Sequence, residues 1–196
     1  MAYSLQRTAP CSAVAGFGGV RHRYARAMNP NEAQQATGDI YYEAEMLRRA
    51  YIEYWEHESS ARQHVPEWVH NCILEATLVH IRALLEFFEH SRDTKSRRPP
   101  HSDDVLPEDY GFAASQFSIP QDLRRRINTS IAHLSYGRTR IPDDEAHWDF
   151  TGFIPPILSR AGEFFSHLLE TDQARSSFPG DEKLQNFIAY AKPSNS

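Results

Sequence analysis

Apolar side chains along this chain recur every three or four residues, and that spacing predicts helices almost throughout. From Asp39 the series Ile40, Ala44, Leu47, Tyr51 and Tyr54/Trp55 marks a first helix, with Asp39 placed as its N-cap and an end near Glu58. Pro66 suits the first turn of a second helix reaching about His90. That helix carries Val69, Ile73, Ala76, Leu84, Phe87 and Phe88 on one side and Leu74, Leu78, Ile81 and Leu85 on another, which predicts the central helix of the fold.

A long polar connection follows, DTKSRRPPHSDDVLPEDYG, in which Pro99–Pro100 excludes regular helix or a central strand. Ser118 and Ile119–Pro120 read as the cap and first turn of a third helix ending near Tyr136, with Leu123, Ile127, Ile131 and Leu134 as its inward stripe and Gly137 as its stop. Trp148, Phe150 and Phe153 form a short apolar stretch. Pro155–Pro156 breaks the chain before a fourth helix carrying Ile157, Leu158, Ala161, Phe164, Phe165, Leu168 and Leu169, and a short last helix buries Leu184, Phe187 and Ile188. No alternating strand pattern with hairpin turns appears. The fold class is therefore all-α, a four- or five-helix bundle with a long loop between the second and third helices.

Composition narrows this picture in a few places. The 196 residues suffice for one domain, and a 40% hydrophobic and 24% charged makeup is that of a globular chain. Residues 1–30 are different, rich in Ala, Gly, Ser and Arg and without periodicity, so a disordered N-terminal segment is expected ahead of one helical domain over 31–196. This segment also has some likeness to a transit peptide, and Met28 is an alternative start. It holds four arginines and no acid, leaving 17 bases against 26 acids in the rest of the chain, a net of −9. Such a balance argues against a broad electrostatic grip on nucleic acid and leaves room only for a local basic site. Two cysteines, Cys11 and Cys72, form neither a disulfide framework nor a thiolate metal site, and no apolar run approaches the roughly 20 residues that cross a bilayer. A cytoplasmic protein without cofactor is expected.

Common chemistry is largely excluded by motif. No phosphate loop, no Gly-x-Gly-x-x-Gly and no Gly-x-Ser-x-Gly elbow is present. Glu53/His57, Glu86/His90 and Glu163/His167 are spaced i,i+4, whereas a di-iron bundle needs Glu-x-x-His, and these pairs read as helix-surface partners. His80 and Arg82 on the central helix read as a polar network with Glu75, Glu86 or the third helix.

The remaining candidate is the third helix, DLRRRINTSIAHLSYGR, which carries Arg126, Asn128 and His133 among hydroxyl side chains. Arg126 and His133 lie seven residues apart, about two turns. An arginine that clamps a phosphate oxygen and a histidine that titrates near neutrality suit cleavage of RNA through its 2′-hydroxyl. Each also has a structural role open to it: His133 and Asn128 as hydrogen-bonding groups within the bundle, Arg138 as a charge at the helix C-terminus. Arg140/His147 and Arg160/His167 repeat the same spacing.

LEATLVHIRALLEFF, then DDVLPEDY, then INTSIAHLSYGR together resemble the HEPN superfamily over about residues 66–138. The resemblance implies an all-helical, commonly dimeric protein, with Arg126, Asn128 and His133 as a metal-independent ribonuclease site of the kind used in toxin–antitoxin and phage-defence systems. Ile127 departs from the family pattern, which has a polar residue directly after the arginine; here the polar Asn128 comes one place later. The alternative expectation is a non-catalytic interaction module presenting some of Tyr41, Tyr42, Tyr51, Tyr54, Trp55 and Trp68 to a protein partner or to its own copy.

Overall fold

Asn29 starts the first helix. Its side chain accepts from the Glu32 backbone N–H at 2.9 Å while the Glu32 carboxylate accepts from Asn29 N at 3.3 Å, a reciprocal cap closed by Pro30 in the first turn. Helix α1 therefore spans Pro30–Ala50 and begins nine residues before Asp39, which sits exposed within it. The N-P-N-E signature at residues 29–32 outweighs the weak apolar periodicity of the turns that follow. In this computed structural model the described residues are 29–55, 65–92, 101, 103–132, 148–171 and 181–191. The N-terminal segment 1–28 lies outside them.

The chain leaves α1 through a π-helical turn, Tyr51–Trp55, which turns Tyr51, Tyr54 and Trp55 inward. Helix α2, Glu67–Glu89, follows with Pro66 at its cap, and α3 covers Gln121–Ala132. Pro120 lends its carbonyl to Arg124 N at 3.0 Å, so this helix starts after Pro120 and leaves Ser118 outside. Helix α4, Ile154–Glu170, holds Pro155 and Pro156 inside its first turn, where missing N–H groups cost nothing. The prolines thus open the helix that they were expected to precede. Helix α5, Asp181–Ala191, buries Leu184 and Phe187, with Ile188 half-buried.

Five α-helices and no strand occur among the described residues, an all-α bundle. A single buried cluster joins them, and α2 packs against α1, α3 and α4. Aromatic rings fill its centre: Phe164 meets Phe87, Phe88 and Tyr110 edge to face, and Phe165 meets Phe187. Gly162 lets α5 come close, since a Cβ there would lie 2.6 Å from the Ala191 Cβ.

The connection between α2 and α3 is built as well as long. Leu106–Pro107 leads into a 3-10 turn, Pro107–Tyr110, which Gly111 ends at φ +70° in the left-handed region. Arg92 grips Asp109 with both carboxylate oxygens at 3.0 Å, and Tyr110 sends its hydroxyl to the Ala33 carbonyl at 3.2 Å. His167 and Arg160 donate to the Tyr110 and Ala113 carbonyls at 2.9 and 2.6 Å, fastening the same segment to α4.

Candidate functional site

The third-helix residues divide between two environments, because positions two apart on a helix point about 200° apart. Arg126 lays its guanidinium over Trp148, with Cζ 3.9 Å from the ring centroid. Trp148 in turn stacks parallel on Phe150 at 5.7 Å, and Phe150 meets Trp55 at 4.4 Å. Arg126 thereby ties α3 to the 148–150 segment. Asn128 is exposed on a different side of α3, at a cleft shared with α2. His133 lies outside the described residues, as do Arg140 and His147.

The cleft has a volume of about 190 Å³ and is lined by Arg82, Leu85, Glu86, Glu89 and His90 of α2 and its C-terminus, and by Arg124, Ile127 and Asn128 of α3. Leu85 and Ile127 are buried beneath it. One wall is an ion pair: Arg124 binds Glu89 through two nitrogens at 2.5 and 2.6 Å and also donates to the Phe117 carbonyl at 2.7 Å. The hydrogen bonds to Glu89 raise the Arg124 guanidinium above its usual value. Across the mouth Arg82 stands 3.5 Å from Glu86. Each guanidinium faces a carboxylate, so the cleft offers hydrogen bonds from Asn128 and His90 within a nearly balanced field. Its volume is below the roughly 300–1,000 Å³ of sites that enclose a drug-sized ligand, so it fits a single small polar group.

Several residues of this cleft were legible as surface pairs. Arg82, Glu86 and Glu89/His90 recur once per turn, as do Arg124 and Ile127/Asn128, and two such rows facing each other are the signal that links them. His80 goes elsewhere, its Nδ1 2.6 Å from Glu43 of α1. Arg160 and His167 serve the 110–113 segment, and Glu163 pairs with Arg160 at 2.6 Å. Among the described residues no three His, Cys, Asp or Glu side chains converge as a metal site, and no helix is long and apolar enough to cross a membrane.

A second feature lies on the outer side of α2. Tyr51, Tyr54 and Trp55 are buried, but Trp68 is 68% exposed, Tyr42 56% and Val79 44%. Cys72 and Ala76 are exposed between Trp68 and Val79, and Ala83 is half-buried one turn on. The positions 68, 72, 76, 79 and 83 form one helical stripe. Tyr42 flanks it from α1, its ring 5.9 Å from His80. Comparison of the chain with protein-family models, curated proteins and solved structures gives no match.

Proposed function

We propose that this chain is a helical protein-interaction module that docks an apolar helix on the outer face of α2. The observation behind it is the clustering of Trp68, Val79 and Tyr42, three large exposed apolar side chains, on one face. Aromatic residues that a monomer leaves in water are the usual anchors of a protein interface. Arg126 supports the same reading, since its guanidinium is spent on Trp148.

Cys72, a free exposed thiol inside the stripe, reports whether the face is covered. With Cys11→Ser in the full chain, Cys72 alkylates at least tenfold more slowly in the cell than in dilute purified protein. Equal rates in the two settings would remove the interaction reading.

The second reading is a HEPN-like protein that binds or cleaves RNA, with a defence or toxin–antitoxin role. It is favoured by Asn128, which opens onto a cleft that also holds Arg82 and His90. There an arginine would stabilise phosphate charge while His90 or His133 moved the 2′-hydroxyl proton, without metal. The check is incubation of wild type, His90→Ala and His133→Ala with mixed RNA in excess EDTA. Cyclic-phosphate ends lost in either variant support this reading, and intact RNA throughout removes the catalytic form of it.

A further inference from the structure

We propose that residues 17–28 of this chain run extended alongside α1 and lie on the outer face of α2, where they compete with the docked helix. The proposal rests on the interaction reading and supplies its regulation.

Opposite charge selects this occupant. Residues 1–28 carry Arg7, Arg21, Arg23 and Arg26 and no acid, whereas the rest of the chain sets 17 bases against 26 acids. Acids also line the approach to the face. Asp39 is exposed on α1, Glu43 one turn later reaches His80 of α2 at 2.6 Å, and Glu75 is exposed between Cys72 and Val79. A tether adds to the charge, because a segment joined to the fold at Asn29 holds about a millimolar effective concentration at the face.

Length and register agree with the charges. Asn29 is extended, at φ −73° and ψ 155°, and Pro30 follows it, so the path of α1 does not continue backward into residue 28. α1 and α2 run antiparallel, since Glu43 meets His80 while Tyr54, farther along the chain, meets His70. Glu43 and His80 therefore lie about 21 Å along the bundle from Asn29, Glu75 about 28 Å, Cys72 about 33 Å and Trp68 about 39 Å, at the helical rise of 1.5 Å. A chain leaving Asn29 and extended at about 3.3 Å per residue carries Arg23 about 20 Å, Arg21 about 26 Å, Val20 about 30 Å and Phe17 about 40 Å. Arg23 thus draws level with Glu43, Arg21 with Glu75, and the apolar Val20 and Phe17 with Cys72 and Trp68.

The cover is partial, because exposed ion pairs are individually weak and screened by salt. A face covered about half to four-fifths of the time weakens partner binding two- to fivefold, since the open fraction sets the apparent affinity.

The test is alkylation of Cys72 by iodoacetamide in the dilute, purified full chain with Cys11→Ser. Arg21→Glu, Arg23→Glu and Arg26→Glu together should speed the reaction two- to fivefold at low salt, and 1 M NaCl should speed the parent while leaving the triple variant unchanged. Positive charge beside a thiol favours its reactive thiolate, so removing arginines without uncovering the thiol would slow the reaction instead. Register is read from Val20→Cys in the same Cys11→Ser chain. At 1 µM it should close a disulfide with Cys72 within one chain at least fivefold faster than Leu5→Cys does, and the three charge reversals should abolish that advantage.

Equal or slower alkylation in the triple variant overturns the proposal, as does a Val20→Cys advantage that survives charge reversal. Both readouts use purified protein alone. If they fail while Cys72 stays protected in the cell, the interaction reading stands without this regulation. If they succeed while the cell adds no further protection, the segment is the cover of its own face and the separate partner falls.

Discussion

The two halves of α2 are about equally apolar and meet opposite fates. From Thr77 to Glu89 the helix buries Thr77, Leu78, His80, Ile81, Leu84, Leu85, Phe87 and Phe88. From Glu67 to Ala76 it buries none, although Trp68, Val69, Cys72, Ile73, Leu74 and Ala76 lie there. The difference is one of neighbours. The C-terminal half is enclosed by α1, α3, α4 and the segment before α3, which fastens to its last turn where Ser115 N donates to the Phe88 carbonyl at 2.8 Å. The N-terminal half is met on one side by the π-helical turn, through Tyr54 Oη and His70 Nδ1 at 2.5 Å and the edge of Trp55. A hydrophobic pattern records that a face is apolar, while burial requires something to cover it.

The sharpest way to break this comparison is to truncate one large side chain in each half. Phe88→Ala, in the fully enclosed half, should cost about 3–5 kcal/mol in urea unfolding of dilute protein. Trp68→Ala should stay within about 0.5 kcal/mol under the same conditions, since its ring is already in water. A similar loss at both sites would mean that Trp68 is buried within the monomer.

Arg124→Ala ranks second. It removes the Arg124 partner of Glu89, whose side chain is 10% exposed and would keep the Phe117 N–H at 2.8 Å, so a loss of about 2–3 kcal/mol is expected. Arg124→Lys should recover only part of this, because an ammonium cannot reproduce the two-nitrogen grip. Full recovery with lysine would mean that net charge alone holds α3 to α2.

Thr77→Val probes the boundary between the halves. Its hydroxyl accepts from Trp55 Nε1 at 3.0 Å and donates to the Ile73 carbonyl at 2.7 Å. Orphaning the buried indole N–H should cost about 1–2 kcal/mol. The loss should be accompanied by faster amide exchange in the N-terminal half of α2, which Trp55 contacts through Thr77 and the edge of His70.

The smallest effect lies on α1 and calibrates the others. Glu45 has its carboxyl lowered from the usual value of 4.5, first by the Arg48 hydrogen bond, at 2.7 and 2.8 Å, against an opposing push from burial. A folded value below the unfolded one adds stability that is full above about pH 4.5 and is lost as pH falls through the lowered value. Glu45→Gln should therefore flatten the acid limb of stability measured from pH 5 downward by less than about 1 kcal/mol, as expected of a partly exposed pair.

The sequence made the helices legible because each has its own apolar period and its own punctuation. Pro66 and Pro120 were correctly read as marking helix starts, and the errors of position came from caps: Asn29 with Glu32 was passed over for Asp39, and Pro155–Pro156, tolerated in a first turn, were taken for a break. The candidate site was legible in part. Asn128 reaches a cleft, but Arg126, two residues away, is turned to Trp148, a partner 22 positions along the chain that no local spacing announces.

What the chain determined by itself was therefore local: helix identity, turn chemistry, and which faces are oily. Those depend on neighbours within a turn or two, whose interactions repeat with the helical period. Only the tertiary structure decided that Arg124 would lock onto Glu89, that two polar rows would meet across a cleft, and that one face of the N-terminal half of α2 would remain in water. Each of these depends on residues far apart in sequence, and on how many elements surround a helix rather than on what the helix is made of.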